Sequence, residues 1–214
     1  MMFHPNILHP RQQQVLGKLA VSRAFDYYLA GGTALALQLG HRTSLDFDFY
    51  SGGKLVSGEL MTRIKQALPT IAISRQTDDT FQAVASGVNI SVFYYPYPLL
   101  KKLVDFPPIQ LASLEDIAAM KIVALVQRAR QRDFWDVYYL IERLGLANVI
   151  ASAYRKYPWY EENSQIVFRA LTYFEDADTD EEVGRVTIFD KRLQWTDVKE
   201  KIRQEVKTYL KETP

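Results

Sequence analysis

Apolar and polar positions follow two different rhythms along the chain, and the change falls near residue 110. Before it, short apolar or alternating segments predict strands at Tyr27 to Ala30, Leu45 to Tyr50, Ile71 to Ser74, Phe81 to Ala85 and Val88 to Tyr95. Three helices are predicted in the same half. One covers residues 10–25 and opens on Pro10; one runs from a Thr33 cap to Leu39 and is stopped by Gly40; one covers Ser57 to Leu68. Beyond residue 110 a helical period takes over, with helices predicted at 115–130, 134–144, 147–156, 163–175 and 196–211. Pro96, Pro98, Pro107 and Pro108 punctuate the change. The pattern predicts an α+β fold. Residues 1–110 form a mixed sheet with flanking helices, and residues 111–214 form a C-terminal helical region packed on it.

Composition changes this picture little. Hydrophobic residues make up 48% and charged residues 24%, enough apolar side chain for a sizeable core. No apolar run approaches the ~20 residues of a membrane span, so no membrane partner is expected. With no cysteine there is no disulfide framework, thiolate zinc site or cysteine nucleophile. The start of the chain has no apolar signal-peptide core, and a cytoplasmic location is expected. The three histidines, His4, His9 and His41, have no metal-ligand spacing.

Charge adds more. The net charge of +1 carries no whole-molecule argument for nucleic acid, but the distribution is uneven. Lys121, Arg128, Arg130 and Arg132 form an acid-free basic stretch, while Glu175, Asp176, Asp178, Asp180, Glu181 and Glu182 form an acidic one. On a helical wheel carried through residue 132, Lys121, Arg128 and Arg132 fall on one stripe, opposite an apolar face of Ala119, Ile122, Val123 and Val126.

The chemistry concentrates in Ala30-Gly31-Gly32-Thr33 followed by Leu45-Asp46-Phe47-Asp48-Phe49. In a strand, Asp46 and Asp48 point to one face and Leu45, Phe47 and Phe49 to the core. Two carboxylates about 7 Å apart repel unless a cation sits between them. Paired hard oxygens suit Mg²⁺, which binds through one or two carboxylates and substrate phosphates. Gly31 and Gly32 let backbone approach a ligand at a helix N-terminus, where N–H groups and the dipole favour phosphate, and Thr33 adds a hydroxyl. The same residues would also make an ordinary strand-to-helix turn beside a solvated strand.

Gly31-Gly32 followed by Asp46-Phe47-Asp48 resembles the signature of the DNA polymerase β-type nucleotidyltransferase superfamily. The wider stretch YYLAGGTALALQLGHRTSLDFDFYS is similar to the AbiEii/AbiGii-type nucleotidyltransferase toxins of abortive-infection and toxin–antitoxin systems. So are Lys121 and the segment Arg132-Asp133-Phe134-Trp135-Asp136 downstream. The resemblance covers residues 25–145. It implies a nucleotidyltransferase-like fold and a Mg²⁺-dependent transfer of NMP from a nucleoside triphosphate to an RNA, tRNA among them, or to a protein hydroxyl. A cognate antitoxin is the implied protein partner. Asp46 and Asp48 would hold the metal. Lys121, Asp133 and Asp136 are catalytic candidates. Gly31, Gly32, Thr33, Arg42, Ser44, Arg128 and Arg132 are nucleotide-binding candidates. Asp133 and Asp136 also fit a helix cap, and an acid at 133 aimed at an apolar face needs a partner such as Lys121, Arg132 or a backbone N–H.

The family pattern has a third carboxylate on a later strand, where this chain has Ser91, and no acid occurs between Asp79 and Asp105. A hydroxyl is neither a carboxylate ligand nor a base at neutral pH. The alternative reading is therefore a degenerate, non-catalytic module for nucleotide binding or protein interaction.

Overall fold

The computed structural model describes residues 2–53 and 58–212. The chain divides into two compact units, Met1–Ser113 and Leu114–Pro214. The first is a sheet with helices and the second is helical, the α+β class expected.

Unit 1 opens with a 3-10 turn at Pro5–Ile7, followed by α1 (Pro10–Lys18), which is capped by the His9 side chain in a box with Gln12. The predicted helix 10–25 tightens after Lys18 into a 3-10 helix, Leu19–Phe25. Gly17, with its low helix propensity, sits just before the change. There follow β1 (Tyr28–Leu29), α2 (Gly31–Leu39), β2 (Phe47–Ser51), α3 (Gly58–Ala67), β3 (Ala72–Gln76), β4 (Thr80–Ala85) and β5 (Val88–Tyr94). The predicted start of α3, Ser57, lies outside the described residues. A last pair, β6 (Val104–Phe106) and β7 (Ile109–Leu111), was not legible: each strand has three residues, too few to show a period, and Pro107-Pro108 forms the turn.

The seven strands run in the order β3-β4-β5-β2-β1-β7-β6. β2 is parallel to β5 and β1 to β7; the other pairs are antiparallel. Register sorts the two faces. Phe47 pairs with Ile90 and Phe49 with Val92, and all four are buried. Asp48 pairs with Ser91 and Tyr50 with Phe93 on the opposite, half-open face. Leu45 is not in the core as the alternation predicted. It is 39% exposed, because the strand begins only at Phe47.

Unit 2 comprises α4 (Leu114–Arg128), α5 (Gln131–Leu144), α6 (Leu146–Lys156), α7 (Trp159–Glu162), α8 (Ser164–Thr172), α9 (Glu175–Asp178) and α10 (Trp195–Glu212), with a 3-10 turn at Val183–Arg185. Its core gathers Ile117, Ile122, Val137, Leu140, Val149 and Val167. Phe134, Phe174 and Trp195 pack ring against ring. Among the described residues no helix is long and apolar enough to cross a membrane.

Candidate active site

The glycine pair does two separate jobs. Gly31 has φ +64°, the left-handed turn that leads β1 directly into α2, and a side chain there would be strained. The helix therefore starts at Gly31, with Ala30 as its cap, and not at Thr33 as predicted. Gly32 leaves room for a side chain. A methyl group built on it would collide with the Arg42 guanidinium, which is buried against the start of α2. That guanidinium also donates to the Thr43 carbonyl at 2.9 Å. A methyl group on Gly31 would lie 3.5 Å from Asp48 Oδ2, so the carboxylate faces the glycine turn.

Thr33 ties the helix start to the acidic strand. Its hydroxyl donates to the Asp46 carbonyl and shares a 2.7 Å hydrogen bond with the Ser44 hydroxyl. Since Thr33 has one proton and gives it to Asp46, Ser44 is the donor to Thr33. Both residues are buried. They brace the loop that delivers Asp46 and Asp48. Asp46 Oδ1 accepts from Asn89 Nδ2 at 2.8 Å. The backbone N–H of Ala30 donates to the Asp48 carbonyl at 3.0 Å, joining the two motifs through the sheet.

Ser91 stands in direct register with Asp48 on β2 and with Gln82 on β4. The position at which the family pattern carries an acid is thus on the Asp48 face, one strand away, and holds a hydroxyl. Asn89, two residues before it, was not a candidate in the sequence. Its signal was the same alternation that places Ser91.

The downstream candidates lie in unit 2. Lys121 is 5% exposed, and its ammonium lies 2.6 Å from Asp133 Oδ1 and 2.6 Å from Asp136 Oδ2, both fully buried. Arg128 Nε lies 3.3 Å from Asp133 Oδ2. Burial pushes the Asp133 carboxyl upward, but the Lys121 and Arg128 charges outweigh it and hold it below the ordinary value. The predicted continuous basic stripe is not formed. α4 ends at Arg128, Ala129 turns with φ 39°, and Arg132 belongs to α5. Lys121 faces acids on α5 and not solvent. Arg132 is bound by Glu182 at 2.8 Å, together with Arg130 and with Arg185 at 3.0 Å. Asp133 is not the cap of α5. That position is Arg130, and Asp133 lies inside the first turn with its carboxylate on Lys121. The acidic stretch caps the helix instead, through Asp180 Oδ2 on the Gln131 N–H at 3.0 Å.

Residues 20–101 and 94–212 match the family described as "Nucleotidyl transferase AbiEii toxin, Type IV TA system". The chain belongs to the AbiEii nucleotidyltransferase toxin family. It is 35% identical over 213 residues to an uncharacterised protein of Aquifex aeolicus (strain VF5), aq_aa25, covering 95% of this chain and 98% of that one. Among solved structures its fold is similar to that of MenT4, a nucleotidyltransferase toxin of Mycobacterium tuberculosis H37Rv (TM-score 0.61, 15% identity, 92% of this chain and 82% of that one). It is also similar to JHP933 from Helicobacter pylori (TM-score 0.58, 18% identity, 99% and 96%). ANT(2″)-Ia, solved in complex with adenylyl-2″-tobramycin, covers 70% of this chain and 99% of its own (TM-score 0.53, 15% identity).

Nucleotidyltransferases of this kind generally use a divalent metal. Among the described residues no three His, Cys, Asp or Glu side chains gather as a self-sufficient metal centre. The donors of this AbiEii family member still suit a hard cation. Asp46 and Asp48 supply carboxylate oxygens beside a phosphate-favouring helix N-terminus, the set Mg²⁺ uses when substrate and water complete its shell.

A second buried ion pair escaped sequence reasoning. Lys156 at the end of α6 meets Asp116 in the first turn of α4 at 2.8 Å, both almost fully buried. Forty residues separate them, so no local pattern signals the pair.

Proposed function

We propose that this AbiEii family member is a Mg²⁺-dependent nucleotidyltransferase that transfers NMP from a nucleoside triphosphate to an RNA hydroxyl. The observation that carries the reading is the apposition of Asp48 to the Gly31 turn at the N-terminus of α2. The N–H groups at the start of α2 receive the β- and γ-phosphates, with the buried Arg42 charge behind them. Asp46 and Asp48 face the α-phosphate. A divalent cation, when bound, supplies positive charge against the phosphoryl oxygens. The acceptor oxygen attacks phosphorus in line, the bond to pyrophosphate breaks, and the hydroxyl proton passes to an aspartate of the pair or to water. On the Asp48 face, Ser91, Asn89 and Gln82 are not bases at neutral pH. Thr33 and Ser44 position the acidic strand. Lys121, Asp133 and Asp136 hold α4 to α5, where Arg128 also pairs with Asp133. A cognate antitoxin fits the family context. MenT4, described as a toxin, and ANT(2″)-Ia, solved with an adenylylated product, support the same class of chemistry.

The serine opposite Asp48 favours a second reading, nucleotide binding without turnover. A labelled-nucleotide transfer assay on total RNA separates the two, comparing wild type, Asp48→Ala and Ser91→Asp. We expect slow Mg²⁺-dependent transfer by wild type, none by Asp48→Ala, and a gain in Ser91→Asp, whose new carboxylate would enter on the Asp48 face. Transfer that survives Asp48→Ala would sink the metal-site assignment.

A further inference from the structure

On the Asp48 face of unit 1, a row of aromatic rings begins one strand step from the carboxylate. Tyr50, two residues beyond Asp48, points the same way. Its ring lies 5.3 Å from that of Phe93, its partner across the ladder, and 5.2 Å from that of Tyr95. Tyr95 continues the row to Tyr97 at 4.9 Å, and Tyr97 is 45% exposed. This row is held stiffly. The Tyr95 N–H donates to the Ser51 carbonyl at 2.8 Å, which carries the β2–β5 ladder past its last strand residue. Tyr95 and Tyr97 each precede a proline, Pro96 and Pro98, which restricts both to extended backbone. Two exposed lysines, Lys101 and Lys102, follow in the same segment.

We infer that this row is a stacking platform for the unpaired bases at the end of the RNA acceptor. The inference rests on Asp46 and Asp48 being the reacting centre. Aromatic faces stack any base, and a row that ends at the carboxylate face guides the terminal nucleotide toward it. A mononucleotide would cover one ring. Beyond Tyr50 the row turns outward, with Tyr95 edge-on to Tyr50 at 71° and Tyr97 tilted from Tyr95 at 54°, and it ends at an exposed ring on which a further base of the strand can stack. The lysines match its phosphates. Rings fixed before binding lose little conformational freedom on stacking.

The test uses the full chain and fluorescence anisotropy at fixed salt. Its probes are a labelled RNA hairpin with a short unpaired 3′ end, the same stem ending blunt, and a nucleoside triphosphate with Mg²⁺. Wild type should bind the overhang at least about fivefold more tightly than the blunt stem. Tyr97→Ala should lose that preference while its blunt-stem and nucleotide affinities stay unchanged. Tyr97→Phe should keep it, since stacking needs the ring and not the hydroxyl. Asp48→Ala should keep the overhang preference even though transfer is lost, which separates failure of the platform from failure of the active-site reading. Equal binding of overhang and blunt stem by wild type would overturn the inference, leaving the patch to a protein partner. So would a Tyr97→Ala variant that retains the preference. A Tyr97→Ala variant that loses nucleotide affinity would overturn it too, by placing the incoming base on the rings.

Discussion

Replacing Lys121 with methionine removes the cation shared by two fully buried carboxylates. Each contact is 2.6 Å long. At an effective dielectric of about 20, each is worth about 6 kcal/mol of gross attraction. Desolvation of three charges and repulsion between the two acids offset most of that, so the group as a whole adds little net stability. Removing one member is a different matter, because the desolvation cost of the remaining charges stays. The expected loss is about 3–5 kcal/mol, or about 6–20 °C in Tm for a chain of this length.

The pH dependence carries a sign. In wild type, Asp133 sits below its ordinary value, so its contribution is fully present above that value and lost as pH falls through the folded one. In Lys121→Met the buried acids lose that stabilisation, and the folded carboxyl moves upward. The penalty then shrinks on acidification, as a proton takes the place of the ammonium. The assay is urea denaturation followed by circular dichroism at pH 7 and pH 5. A variant within about 1 kcal/mol of wild type at pH 7 would refute the reasoning, and so would a defect that grows toward pH 5. The triple variant Lys121→Met/Asp133→Leu/Asp136→Leu, which buries no charge at this point, should recover most of the loss.

Gly31→Ala should cost about 1–2 kcal/mol through its left-handed φ alone. Gly32→Ala should cost about 1–3 kcal/mol by displacing Arg42, and adding Arg42→Ala should cost less than the sum of the two single changes, read by thermal melts. Asp133→Asn should be less stable than wild type at pH 7 but lose less on titration toward pH 3, since the residue whose carboxyl lies below 3.8 no longer titrates; parallel acid limbs for the two proteins would contradict the ion pair.

What was legible in the sequence was local. Gly31-Gly32, the alternation through Phe49 and the facing of Ser91 all follow from backbone rules that act over a few residues, and the register of β2 with β5 agrees with them. What was not legible depended on partners distant in sequence. The wheel through Arg132 assumed one helix, and a single positive φ at Ala129 broke it. The basic stretch looked like a solvated or ligand-facing ridge because its answering acids lie elsewhere: Asp133 and Asp136 for Lys121, and Glu182 for Arg130 and Arg132. A wheel assigns a side chain to a face but says nothing of what covers that face. Thr33 illustrates the same limit. Its position beside the glycines suggested a ligand contact, whereas its hydroxyl is committed to Asp46 and Ser44.

The two carboxylates of the acidic strand are the feature that folding alone explains least. Asp46 and Asp48 belong to one half-open region of the sheet, where like charges cost stability. Asn89 donates to Asp46, but a neutral amide does not cancel a charge. The Arg42 guanidinium is buried against Gly32 at the same helix start and donates to the Thr43 carbonyl. The Asp48 carboxylate beside Gly31 and the Arg42 guanidinium beside Gly32 bring an anion and a cation to the same helix start, the charges that a metal-bound phosphate would meet there. Under the proposed reaction, Ser91 bears on the rate of transfer and the groups around Gly31 and Gly32 on the hold of the nucleotide.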